Sequence, residues 1–323
     1  MAATGASPEA LGPPGGAEQL TARQQRSPIA AFWHRWWLSY AMVGPFFLFY
    51  FVFLLFPVVV ALVLSFTYYN ILQPPHWIGW SNYRLLFLED DVFLIGIGNT
   101  IRFALVTGPA SFIVSFIFAW LIAPLKARTV LALCFYAPSI TSGVAMSVVW
   151  RIVFSGDRYG YLNHLLLSLG ILEEPFLWLS DVRSMLAIII FVQLWMGVGT
   201  GFLVFLAGLL GVDPTLYEAG RVDGIANPLQ EVFNITLPMM KPQLLFGAIL
   251  AIVQGFAVFD IAVSLAGLPS PLYAAHTIVT HLYDFAFIRF EMGYAAAVSV
   301  VLFAWMFGLS RALFRLFSTK DMY

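Results

Sequence analysis

Apolar residues fall into six long runs separated by short polar stretches. The runs lie at about 38–67, 97–123, 129–153, 184–211, 243–266 and 291–314. A helix needs roughly 20 predominantly apolar residues to cross a bilayer, so the pattern predicts six membrane helices. Prolines interrupt the first three runs, at Pro45, Pro57, Pro109 and Pro138. Bundled membrane helices tolerate such breaks because neighbours re-satisfy the freed backbone groups. The first run is far longer than a signal-peptide core of about 7–15 residues and is expected to stay in the bilayer. The predicted fold is an all-α polytopic membrane helical bundle.

Composition supports this reading. The 323 residues are 61% hydrophobic and only 10% charged, with a mean hydropathy of +0.86, against about 25% charged in soluble domains. The net charge of −1 supplies no basic field for nucleic acid. Cys134 is the single cysteine, which excludes an intrachain disulfide framework and a multi-cysteine metal site. It is expected to be a small buried thiol.

Lysine and arginine set the orientation. Arg23, Arg26 and Arg35 precede the first run, Lys126 and Arg128 lie between the second and third, and Arg311, Arg315 and Lys320 close the chain. Six spans put these on one side, the cytoplasmic side. The acidic stretches Glu89-Asp90-Asp91, Glu173-Glu174 and Asp181 fall on the other. Residues 1–37 then form a flexible cytoplasmic tail, 38–316 the transmembrane domain and 317–323 a short cytoplasmic tail. Trp77, Trp80 and Trp178 lie near span ends, as interfacial aromatics do. The external segment 155–183 contains an amphipathic stretch from Gly156, read as a short helix on the outer face. It serves either as a contact for an external partner or as packing on the bundle.

The connection after the fourth run is the most structured polar part of the chain. Asp213-Pro214 is a helix start, with the aspartate as cap and the proline preorganised for the first turn. Gly224 suits a left-handed helix end. Asn227-Pro228 begins a second helix, with Gln230 three residues after the cap, and Pro238 is expected to end it. The cytoplasmic segment 213–242 is thus a helix, a glycine turn and a helix.

These residues resemble the permease subunits of ATP-binding-cassette sugar importers of the maltose type, whose motif runs Glu-Ala-Ala, Asp-Gly and a later Leu-Pro. The chain supplies Glu218-Ala219-Gly220, Asp223-Gly224 and Leu237-Pro238. It departs at Gly220, where alanine is usual, at Ile225, again in place of alanine, and in an Asp223-to-Pro238 spacing one residue longer than the commonest form. The resemblance extends through Pro57, Gly160-Tyr161-Leu162-Asn163 and Phe259-Asp260. It implies that the segment forms coupling helices seated in a cleft of an ATPase subunit, with Glu218 paired to a basic residue there. It further implies a second homologous permease, a cytoplasmic ATPase dimer carrying ATP and Mg, an external solute-binding protein, a sugar or oligosaccharide substrate, and a multi-pass place in the cell (inner) membrane.

What is missing agrees with a transport subunit. No Gly-Lys pair, and so no phosphate-cradling loop, occurs in the sequence. This chain is expected to bind no cofactor and no metal and to catalyse no covalent chemistry. Gly197-Val198-Gly199-Thr200-Gly201 lies inside a span and is read as close helix packing. His276 and His281, five apart, are read as external-loop residues. Ionisable and polar groups inside spans tend to be functional, so Asp260, Gln193 and Gln254, with the rings of Trp195, Phe256 and Phe259, are the candidate substrate-pathway residues. The alternative is a stand-alone ion-coupled carrier or channel, which needs coupled charges in the membrane. Asp260 is the charge clearly expected there.

Overall fold

The computed structural model describes residues 28–317, with side chains over residues 36–315. The tail residues Arg23 and Arg26, the side chain of Arg35, and Lys320 lie outside the described part, as do most of the two predicted tails. The chain divides into two units, Met1–Val60 and Ala61–Tyr323.

The first unit contains α1 (Pro28–Tyr50), a π-turn (Phe51–Leu55) and the start of α2 (Phe56–Leu64). The apolar stretch Trp36–Leu64 is long enough to cross a membrane, and none of its most apolar stretch is buried. The π-turn, closed by Phe56 N–H to Phe51 O, directly precedes Pro57. A helical proline donates no hydrogen bond and presses on the carbonyl four residues back, and the wider turn makes room for it.

The second unit opens with a two-residue hairpin, β1 (Thr67–Tyr68) and β2 (His76–Trp77), antiparallel with Thr67 opposite Trp77. These strands are its small departure from an all-α fold. Helix α3 (Ser81–Leu88) buries Asn82, whose amide donates to the carbonyls of Ser65 and Thr67 at 2.9 Å each. Then come α4 (Asp91–Ile122), α5 (Arg128–Ile140), α6 (Gly143–Val153), α7 (Tyr161–Ser168) and α8 (Val182–Leu210). Past a hairpin lie α12 (Lys241–Phe256), α13 (Asp260–Ala266), α14 (Ile278–Tyr283) and α15 (Met292–Phe317). Helix α4 packs against α8 and α12, α5 against α8, α6 against α13, and α12 against α15. One core around Phe202, Phe205 and Met240 lies toward the hairpin, a second around Met185, Val192 and Ile261 packs against Leu162 and Trp178 of the 155–183 segment, and a third joins Phe93, Ile278 and Val298.

The third apolar run is not one straight helix. Helices α5 and α6 meet at 94° across Thr141–Ser142. Pro138 removes a hydrogen bond from the end of α5, and Thr141 turns extended (φ −80°, ψ 140°). Gly143 then lets α13 come close, since a Cβ there would sit 3.2 Å from Asp260 Cβ. The fifth run also breaks, at Phe259, whose φ of −139° and ψ of −66° leave the helix. The second begins six residues earlier than hydropathy predicts, because Asp90 caps it by accepting from Phe93 N–H at 2.8 Å. That shift carries Arg102 well inside a membrane helix, so Asp260 is not the sole charge there.

Two local expectations are overturned. Cys134 is exposed, because in a membrane protein an apolar run faces outward as readily as inward. His276 and His281 are buried at 2% and 1% exposure, not loop-surface residues. His276 lies in the connection before α14 and His281 on α14, and the fold back between them brings Nε2 and Nδ1 to 3.2 Å.

The glycine run on α8 does pack closely. A Cβ at Gly199 would meet the Phe135 carbonyl oxygen at 2.6 Å, and one at Gly201 would meet Ser115 Oγ at 3.0 Å. The amphipathic stretch of 155–183 is α7. Its fully buried Asn163 accepts from Phe176 N–H and Trp178 Nε1–H, and its amide reaches the carbonyls of Ser155, Asp157 and Phe176. Trp178 is therefore pinned to the fold, whereas Trp77 and Trp80 stand 70% and 71% exposed.

Candidate functional site

The polar segment after α8 folds as a helical hairpin. Helix α9 (Pro214–Val222) starts at Asp213, whose carboxylate accepts from Thr215 N–H at 2.9 Å. That hydrogen bond and the one with the Thr215 hydroxyl hold the Asp213 carboxyl below the usual carboxylate range. The helix closes with Ile225 N–H on Gly220 O at 2.9 Å and Gly224 N–H on Arg221 O at 3.2 Å. Gly224 has φ +94°, a conformation that disfavours any side chain.

The return arm begins at Asn227, which caps by accepting from Leu229 N–H at 2.9 Å. Gln230 reaches back to Ala226 N–H at 3.3 Å, one residue before the position a capping box uses. The arm runs through α10 (Pro228–Glu231), a π-turn (Val232–Thr236) and α11 (Leu237–Met239). Pro238 therefore lies inside the helical run and does not end it. The wider turn, closed by Leu237 N–H on Val232 O, accommodates the proline as at Pro57. A π-turn holds one residue more than an α-turn, so it takes up one residue of the Asp223-to-Pro238 spacing without a break in the helical run.

Three contacts clamp the arms. Arg221 Nε donates to Glu231 Oε1 at 3.1 Å, and Tyr217 Oη lies 3.0 Å from Thr236 Oγ1. The third is apolar. A Cβ at Gly220 would sit 2.7 Å from Ile235 Cδ1 and 3.2 Å from Ile225 Cδ1. Gly220 is thus a contact glycine: the Ile235 methyl, and at longer range that of Ile225, fill the space an alanine methyl at 220 would take. Gly220 is buried and Leu237 half-buried, while Glu218, Ala219, Asp223, Gly224 and Pro238 are exposed. Glu218 and Asp223 form no side-chain hydrogen bond or ion pair among the described residues. Val222, Leu229 and Phe233 beside them are 89%, 55% and 67% exposed. The hairpin presents carboxylates among apolar side chains, the surface a basic and apolar partner fits.

Where the α5–α6 and α12–α13 breaks face each other, a cavity of about 360 Å³ opens, lined by Gln193, Gln254, Phe259 and Asp260 together with Ser139 and Thr200. Trp195 and Phe256 lie elsewhere. Trp195 stands edge-on to Trp150, 5.4 Å between centroids, and Phe256 is buried toward an apolar groove between α4, α12 and α15. Sequence reasoning missed Ser139 and Thr200. Thr200 follows Gln193 by seven residues, two helical turns on the same face, and that spacing was available as a signal. Ser139 is brought in only by the bend after Ile140.

A second polar cluster, also missed, ties α4 to α14 and α15. Asp90 Oδ2 accepts from Tyr294 Oη at 2.7 Å and lies 3.2 Å from His281 Nε2. Burial opposes the Asp90 charge, but the hydrogen bonds from His281 and Tyr294 outweigh it and hold the carboxyl far below its ordinary range. Burial, followed by the neighbouring His281, pushes His276 down to about 4. Asn99 donates to the carbonyls of Tyr273 and His276 at 3.0 Å each. No group of three or more side chains among the described residues is arranged to hold a metal ion.

No family model matches the chain. It is 33% identical over 267 residues to the probable ABC transporter permease protein YesP of Bacillus subtilis (strain 168), covering 82% of this chain and 85% of that one. It is 30% identical over 266 residues to the arabinooligosaccharides transport system permease protein AraP of the same organism, covering 81% and 83%. Among solved structures it is similar to a chain of a bacterial ABC transporter involved in the import of the acidic polysaccharide alginate. The TM-score is 0.77 at 23% identity, covering 90% of this chain and 98% of that one.

Proposed function

This chain belongs to the ABC transporter permeases, and on that premise we propose that it is one membrane half of an importer for a sugar or oligosaccharide. The relatives' substrates, arabinooligosaccharides among them, support the substrate class. ATP, with Mg, is hydrolysed on a separate ATPase dimer. A second permease completes the pathway, and an external binding protein delivers the substrate.

The observation that carries this reading is the hairpin of residues 213–239. It is capped at both helix starts and clamped by the Arg221–Glu231 pair, yet leaves Glu218 and Asp223 without side-chain partners among the described residues. A rigid body of this kind transmits motion. Closure of the ATPase dimer around ATP displaces α9, and Met240 and Leu244, packed with Phe202 and Phe205, pass the displacement to α8 and α12. The bundle opens outward, and hydrolysis resets it.

In this reading the hairpin and the Lys126–Arg128 connection are cytoplasmic, and so are both termini. That arrangement requires the bent pair α5–α6 to cross the membrane, because a re-entrant pair would put the hairpin outside. The cavity offers two amides, two hydroxyls and a carboxylate around one aromatic ring. Such a set hydrogen-bonds sugar hydroxyls, and its size falls near the lower end of ordinary ligand sites, about 300–1,000 Å³.

Glu218→Ala in the intact complex is expected to weaken ATPase association and abolish substrate-stimulated hydrolysis, with the membrane domain still folded. Wild-type coupling in that variant, or uptake by vesicles that lack any ATPase, would overturn the proposal.

A further inference from the structure

Arg102 has no role in the function above. It lies on α4, 11 residues after Asp91, which is about 16 Å along the axis at 1.5 Å per residue. Helix α4 has 32 residues, about 48 Å of axis, and the hydrocarbon core is about 30 Å thick, so a core centred on the helix takes in this guanidinium about 8 Å inside its edge. Buried positions Phe93, Gly96, Asn99, Thr100, Phe103 and Thr107 mark the face of α4 turned toward its own bundle. Arg102 stands on the opposite face with Ile95, Val106 and Ile113, which are 43%, 47% and 52% exposed. It is itself exposed and has no hydrogen bond or ion pair among the described residues. Gly98, one turn away on the same side, has nothing within 4 Å of where its Cβ would be. A neighbouring helix can therefore approach closely just there.

A charge inside a membrane is costly and is found paired or facing water. The polar cavity does not supply the partner. None of its lining residues comes from α4, and α4 meets α8 and α12 with its other face. We propose that the Arg102 face of α4 is an interface for a membrane helix of the second permease, and that a carboxylate on that helix pairs with Arg102. The chemistry selects this occupant, because a carboxylate accepts two parallel guanidinium hydrogen bonds and neutralises the charge. This inference rests on the reading of the chain as half of a two-permease pathway.

The test uses the whole transporter, co-expressed and purified through the ATPase. Arg102→Gln is expected to lower recovery of the second permease at least tenfold relative to this chain. Arg102→Lys should retain it and place an amine beside the carboxylate, so that a membrane-permeant carbodiimide joins the two permeases, with the linked residues identified by mass spectrometry. Wild-type recovery in Arg102→Gln, or no heterodimer product from Arg102→Lys, would overturn the proposal. So would native mass spectrometry showing that Arg102→Gln loses only bound anionic lipid and keeps the second permease. If wild-type protein purifies with no second permease at all, the importer reading fails first, a result distinct from the others.

Discussion

Replacing Gly220 by alanine tests how the hairpin is held. The added methyl would lie 2.7 Å from Ile235 Cδ1 and 3.2 Å from Ile225 Cδ1, against about 3.5–4.0 Å for comfortable carbon contacts. Two effects oppose each other. Alanine in a helix interior is favoured over glycine by about 1 kcal/mol, while overpacking costs about 1–3 kcal/mol. Both crowded atoms are side-chain ends, so part of the strain relaxes and the net loss is expected near 1 kcal/mol. Ile235→Val removes the very methyl that clashes, and alone it costs about 0.5–1.5 kcal/mol. The double variant restores the total volume. It should return close to wild type, with a coupling energy of about 1–2 kcal/mol in favour of the pair. Hydrogen exchange over residues 213–240 in the purified transporter, together with ATPase-coupled uptake in proteoliposomes, reads the effect. If the two single changes simply add, Gly220 and Ile235 are not packed as described and the account of Gly220 as a contact glycine collapses.

Three further predictions follow from the rest of the molecule. Asn163→Ala strands the Trp178 indole and the backbone groups of Phe176, and should destabilise the 155–183 segment by roughly 3 kcal/mol, seen as early proteolysis there with the bundle intact; unchanged proteolysis refutes the pin. His276 has a folded value of about 4 against an ordinary 6.5, so its neutral burial stabilises fully above pH 6.5 and is lost as pH falls toward 4. Thermal denaturation in detergent should show a loss of about 2 kcal/mol between pH 7 and 5, absent in His276→Gln, while the Asp90 carboxyl titrates below that window. Asp260→Asn should raise the substrate KM by about tenfold or more, the scale of one hydrogen bond to a charged group; unchanged uptake would mean that Asp260 serves only the α12–α13 break.

The hairpin was legible in the sequence because its signals are local. Asp213, Gly224 and Asn227 act on backbone groups within a few residues of themselves, and each sits where its chemistry predicted. The spans were legible as apolar runs, but their breaks were not. Pro138 marks a weak point, yet whether the helix kinks or bends by 94° depends on α13 arriving at Gly143. The break at Phe259 carries no proline or glycine at all. The buried histidines were hidden for the same reason, since their pairing needs the connection before α14 to fold back onto α4. Of the candidate pathway residues, Gln193, Gln254, Phe259 and Asp260 converge on the cavity. Trp195 and Phe256 do not, because helical position around the axis, not membership of a span, decides where a ring points.

The π-turn at Val232–Thr236 has a consequence for direction. An α-helix turns about 100° per residue. One residue added to a regular helix would therefore swing everything beyond it, Met240 and α12 included, by more than a quarter of a circle. A single widened turn takes up the extra residue while the azimuth of the following span is kept. In this hairpin, length and bearing are set by different parts, so an arm one residue shorter can deliver its span at the same compass heading.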